Sequence, residues 1–185
     1  NQALVTRFGG ERHRGHREQQ LRLTRVPIGT TLVDLDIGFY DKNQGESNES
    51  YQSLEDRYNL IHQEHGREAL TRIKANIILT KKILKEGNAY KHVEEGGLGG
   101  IGVENWILSE GGNMLVAFNH FLDAAYDNDT LRSVEAFKRR YKIFDPALNP
   151  KTNQHNSYGE MLTKQGYTAM AAAVRAYSES IGLRK

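Results

Sequence analysis

Two different hydrophobic periods run along this chain. In residues 31–40, TLVDLDIGFY, the apolar or β-forming residues Leu32, Val33, Leu35, Ile37, Phe39 and Tyr40 surround Asp34 and Asp36. This pattern predicts a strand, entered through the turn Pro27-Ile28-Gly29-Thr30. Residues 41–53, DKNQGESNESYQS, predict a polar loop. Beyond it the apolar spacing changes to three and four. Leu70, Ile73, Ile77 and Leu84, widened by Ile78, Leu79 and Ile83, predict a helix over 67–86 that Gly87 closes. Leu115, Phe118, Leu122 and Ala125 predict a second over 113–126. Leu131, Val134, Tyr141 and Phe144 predict a third over 130–144. Tyr167, Met170, Val174, Tyr177 and Ile181 predict a terminal helix over 160–181. Between these, 96–102 reads as a glycine-rich turn and 145–156, DPALNPKTNQHN, as a loop. Such stripes pack a core, so Trp106, Phe118, Phe121 and Tyr177 are expected to be largely buried. The implied class is α+β, with a β region over 1–60 and a helical domain over 61–185.

Composition narrows the function classes. A chain of 185 residues is one domain, or one small domain with part of another. It has no cysteine, which excludes disulfides, thiolate zinc sites and a cysteine nucleophile. No run approaches the ~18 apolar residues of a membrane-spanning helix. No secretory leader is visible, so a cytoplasmic location is expected, with a mitochondrial one left open by the arginine-rich start. Asn1 rather than Met opens the sequence, which implies processing or a start lying upstream. The net charge is only +2, so any nucleic-acid surface must be local. Residues 1–25 are one such place. Arg7, Arg12, Arg14, Arg17, Arg22 and Arg25 face only Glu11 and Glu18, with His13 and His16 adding proton-dependent charge. Gly9, Gly10 and Gly15 make the stretch loop-like, either a solvated basic arm or one that binds phosphate or RNA.

Three groups of residues carry candidate chemistry. Asp34 and Asp36 occupy alternate strand positions, roughly 6.5–7 Å apart at Cα, on one face. Two acids in an apolar strand are costly unless a metal or cations pair with them, and Mg²⁺ favours such oxygen ligands. Lys74, Lys81, Lys82 and Lys85 gather toward the end of the 67–86 helix, with Tyr90 following. They either complement the helix dipole or clamp a triphosphate. His62 and His65 lie three apart, but no third soft ligand accompanies them, so phosphate contact suits them better than zinc.

From Asp34 onward the ordered set resembles the class I nucleotidyltransferases, most closely archaeal-type CCA-adding enzymes, with poly(A) polymerases and oligoadenylate synthetases more distant. VDLDIGFY is similar to the strand that carries the family's third catalytic carboxylate. Asp56, Arg57 and His62 in EDRYNLIHQEH resemble the segment that follows it. Lys81, with Tyr90 nine residues on, keeps the spacing of the triphosphate-binding pair. GGLGGIGVENWIL, with Glu104 at the acidic position, and GGN at 111–113 look like the next two motifs. IFDPALNPKTNQHN before the terminal helix is similar to the family's D-P loop, with Lys151 where a base-reading arginine stands. The family's first motif, a Gly-Ser turn with D-x-D, is not found besides this strand. Asp34 and Asp36 are then either that D-x-D or part of the third strand. The spacing to His62 favours the second, with Asp36 as the third acid.

The resemblance implies a partial nucleotidyltransferase palm sheet followed by a helical poly(A)-polymerase-type central domain. It implies Mg²⁺-dependent, template-independent addition of nucleotides to an RNA 3′ end. Asp34 and Asp36 would be the catalytic and metal-binding residues; Lys81, Tyr90, His62 and Lys151 would bind nucleotide. RNA and NTP are the implied partners, with no membrane. The alternative is an inactive relative that binds RNA or protein as a subunit of a larger complex.

Overall fold

The computed structural model describes residues 11–14, 20–28, 31–38, 47–149 and 154–183, with side chains over 54–143 and 157–183. The chain divides into two compact units, Asn1–Asn48 and Glu49–Lys185, so residues 49–60 belong with the helical part.

The first unit holds an antiparallel sheet of β1 (Glu11–Arg14), β2 (Gln20–Ile28) and β3 (Thr31–Gly38), in that order. The basic stretch expected as a loop-like arm therefore contributes two strands. The reason lies in β2, where Leu21, Leu23, Val26 and Ile28 alternate with polar residues apart from one extra position. The β2–β3 ladder runs Leu21↔Ile37, Arg22↔Asp36 and Leu23↔Leu35, then resumes at Val26↔Val33. A bulge at Thr24 and Arg25 absorbs the extra residue and keeps the apolar positions in phase. Phe39 and Tyr40, expected in the strand, lie outside the described residues.

The second unit opens with α1 (Ser47–Glu86), broken at Gly66, whose φ of 80° and ψ of 175° are open essentially to glycine alone. The polar stretch expected as a loop through residue 53 is helical from Ser47. A helix turn made of Ser, Asn and Glu carries no apolar period to betray it. The second arm ends as expected, but not through a left-handed Gly87. Asn88 takes that conformation, with φ 52°. Gly87 is small for another reason: a Cβ there would stand 2.4 Å from the Ala173 Cβ.

A 3-10 turn (Val93–Glu95) leads to α2 (Gly99–Ser109). The glycine-rich turn is therefore shorter than expected, and Gly100 and Gly102 are helical. Asn113 caps α3 (Met114–Ala125) by accepting from the Leu115 and Val116 amides at 3.0 and 3.3 Å. The helix expected over 130–144 is only α4 (Val134–Arg140), capped by Ser133. Before it, β4 (Tyr126–Asp127) pairs with β5 (Thr130–Leu131) around Asn128, whose φ is 51°. After it, β6 (Phe144–Asn149) pairs with β7 (Gln154–Ser157), where a loop was expected. A second 3-10 turn (Tyr158–Met161) precedes α5 (Lys164–Ser180), which Thr163 caps. The chain is thus α+β, a three-stranded sheet followed by a helical unit with two small ladders.

The core lies among α1, α2, α3, α4 and α5. Trp106, Phe118, Phe121, Phe137 and Tyr167 are essentially inaccessible. Trp106 stacks on Phe118 at 5.6 Å, and Phe121 lies 5.0 Å from Phe137. Tyr177 sits partly buried, edge-on to Phe118 at 5.9 Å. Among the described residues, no helix is long and apolar enough to cross a membrane.

Candidate functional site

Both arms of α1 and the helix α2 converge on Glu104. Ile73, Ile77 and Leu84 turn one side of the second arm into the core, which leaves Lys81 at its margin. Asn76 secures that arm to the end of α2, its Nδ2 donating to the Gly112 carbonyl at 2.8 Å. Lys81 Nζ then donates to Glu104 Oε1 at 2.6 Å, with 28% and 21% of the two side chains exposed. The Tyr58 hydroxyl, from the first arm, donates to Glu104 Oε2 at 2.6 Å. Lys74 covers the Tyr58 ring, its Nζ 4.9 Å from the centroid.

Gly100 stands one turn before Glu104, and its lack of a side chain lets two other residues come close there. A Cβ there would lie 3.2 Å from the Tyr90 hydroxyl and 3.8 Å from Lys81 Nζ. Lys81 and Tyr90 thus approach one spot over α2. Next in sequence, Asn105 is fully buried, and among the described residues its Nδ2 has no hydrogen-bond partner. Its Oδ1 accepts a long 3.5 Å bond from Arg57.

Burial first, then the hydrogen bond to Glu104 and its negative charge, push the Tyr58 phenol far above its ordinary value. Tyr58 therefore stays a neutral donor. Burial also holds the Arg57 guanidinium below its ordinary value. Lys81 has three N–H donors and gives one to Glu104, so two remain for an anion.

A second polar network lies farther along α2. Trp106 Nε1 donates to the Tyr141 hydroxyl at 2.9 Å, and that hydroxyl donates to Glu110 Oε1 at 2.6 Å. Glu110 Oε2 lies 2.8 Å from His120 Nδ1. Burial, then Glu110, raise the Tyr141 phenol strongly.

The sequence-predicted site residues fall in different places. Lys81 and Tyr90 come together. His62 is exposed on the first arm of α1, and among the described residues no hydrogen bond or ion pair joins it to either. Asp34 and Asp36 lie on β3, with Arg22 opposite Asp36 in the ladder. Their side chains, and with them the predicted metal pair, lie outside the described residues, as does Lys151. Among the described residues, no three His, Asp or Glu gather as they would around a metal. Sequence reasoning gave no role to Tyr58 or Asn105. Tyr58 meets Glu104 across 46 residues, a relation that no local spacing carries.

Comparison with protein-family models, curated proteins and solved structures finds no match.

Proposed function

We propose that this chain serves template-independent nucleotidyl transfer to an RNA 3′ end, with its helical unit holding the triphosphate. The observation that carries the reading is the approach of Lys81 and Tyr90 to one another beside Gly100. These are the two residues that the resemblance to poly(A)-polymerase-type central domains gives to the leaving phosphates. The two free Lys81 donors and the Tyr90 hydroxyl suit phosphate oxygens. Glu104 orients Lys81, and Tyr58, kept neutral, fills the other carboxylate oxygen. His62 and Lys151 would add contacts to phosphate and base.

In this reading β3 belongs to a partial palm sheet, and Asp34 and Asp36 would hold Mg²⁺. Their carboxylates are hard oxygen donors two positions apart on one strand, which fits that ion. When bound, Mg²⁺ supplies neutralisation of triphosphate charge. A second reading, an inactive relative that binds nucleotide or RNA within a larger assembly, is favoured by Arg22. Arg22 is paired with Asp36 in the backbone register, where a cation would offset the acid's charge with no metal.

The deciding experiment is incorporation into labelled RNA with each of the four NTPs and Mg²⁺. Extension by the parent chain, abolished in Asp36→Asn at unchanged melting temperature, is expected. NTP binding without extension would leave the inactive reading, and neither binding nor extension would overturn both.

A further inference from the structure

The second arm of α1 carries a line of exposed cations that the phosphate site does not use. Arg67, Thr71, Lys74, Ile78, Lys82 and Lys85 follow one another at spacings of four, three, four, four and three. Side chains at such spacings form one stripe on a helix. All six are exposed, Ile78 to 67%. The line extends about 27 Å at ~1.5 Å per residue and includes four cations and no acid. Two exposed acids, Glu68 and Glu86, flank it on one side; Glu86 approaches Lys82 only at 3.8 Å, with both side chains about two-thirds exposed, so it neutralises little. Lys74 reaches over Tyr58, and Lys81 precedes Lys82, so the stripe adjoins the Glu104 site.

The composition of the stripe decides what it suits. A helix docking through an amphipathic face needs apolar anchors repeating along the groove, and this stripe offers Ile78 alone. A second copy of the chain would bring the same positive charge to the same place. Evenly spaced cations along an extended line instead complement a polyanion whose charges repeat. We propose that single-stranded RNA lies along this face, its phosphates on Arg67, Lys74, Lys82 and Lys85 and a sugar or base edge against Ile78. The choice of RNA rests on the nucleotidyl-transfer reading, and the stripe would lead that strand to the Lys81 site.

The test is fluorescence anisotropy of the full chain with a labelled single-stranded RNA of about 12 nucleotides, within the usual span of such tracks. Affinity is measured over a range of salt concentrations. Each phosphate contact contributes about 0.7 to the slope of log affinity against log salt. The triple variant Arg67→Gln, Lys82→Gln, Lys85→Gln should therefore flatten the slope by about 2. Arg139→Gln with Arg140→Gln, exposed cations on α4, should leave it unchanged. NTP affinity, measured without RNA, should be the same in the triple variant as in the parent, which separates this proposal from the phosphate site. An unchanged slope in the triple variant overturns it, as does an equal flattening in the α4 control. So does displacement of the RNA by polyglutamate as readily as by unlabelled RNA, which would point to an acidic polypeptide instead.

Discussion

Lys81 and Tyr58 grip opposite oxygens of the Glu104 carboxylate, each at 2.6 Å. They reach it from the two arms of α1, on either side of Gly66. Both are donors, so a carboxylate serves both at once and an amide does not. Glu104→Gln keeps the shape but offers one acceptor oxygen. It should destabilise the helical unit by about 1.5–3 kcal/mol, the range for hydrogen bonds to a charged group. Urea denaturation followed by circular dichroism measures this, and an unchanged midpoint would show the pair to be solvated and idle.

Lys81→Ala tests the phosphate site directly. A charge-assisted lysine–phosphate contact is worth roughly 1.5–3 kcal/mol, so NTP affinity should fall about 10- to 150-fold. Binding of the bare nucleoside should hardly change, because it lacks the phosphates. Equal losses for both ligands would give Lys81 a role in the fold rather than at a phosphate.

Trp106 is fully buried against Phe118 and Phe121 and hydrogen-bonded to Tyr141. Trp106→Ala should cost about 3–5 kcal/mol and also remove the donor to the Tyr141 hydroxyl. Circular dichroism is the suitable probe, since the variant has no tryptophan left to report. A loss below about 1 kcal/mol would mean that the aromatic cluster collapses to fill the gap.

Tyr167 contributes to the alkaline limit of stability. Burial, then the neighbouring Tyr126, raise its phenol from 10.0 to about 12, and its hydroxyl donates to the Ala125 carbonyl at 3.1 Å. The unfolded chain releases this proton first. The contribution is therefore fully present below pH ~10 and is lost as pH rises from there toward ~12. Urea midpoints measured between these limits should fall, and in Tyr167→Phe they should fall less steeply. Parallel slopes in the two proteins would exclude Tyr167 as the source.

What the sequence revealed follows from how each element earns its stability. The second arm of α1, α3 and α5 bury apolar stripes, and their period is written in residues such as Ile73, Ile77, Phe118 and Val174. The first turns of α1 carry no apolar period in the sequence and could not be read. Two ladders were missed because they are short and held by backbone bonds. One had left a mark, since Asn128-Asp129 between Asp127 and Thr130 is turn chemistry for a two-residue hairpin. Lys81 and Tyr90 were picked out together through the spacing of the resemblance, and the structure brings them close. The Tyr58 and Asn105 contacts join distant stretches of chain, and only the packing of α1 on α2 creates them.

The break at Gly66 changes what kind of object α1 is. Forty residues of unbroken helix would be a rod that supports itself. This one is two shorter pieces, and the stability of such helices in a protein comes mostly from the packing of one face. The angle between the pieces is held by α2, which pins one through Tyr58 and the other through Lys81. Excised as a peptide, residues 47–86 would flicker between bent shapes. Within the protein, an anion that draws Lys81 away from Glu104 loosens one of the two pins, so occupancy of the site and the stiffness of the helix become a single mechanical variable.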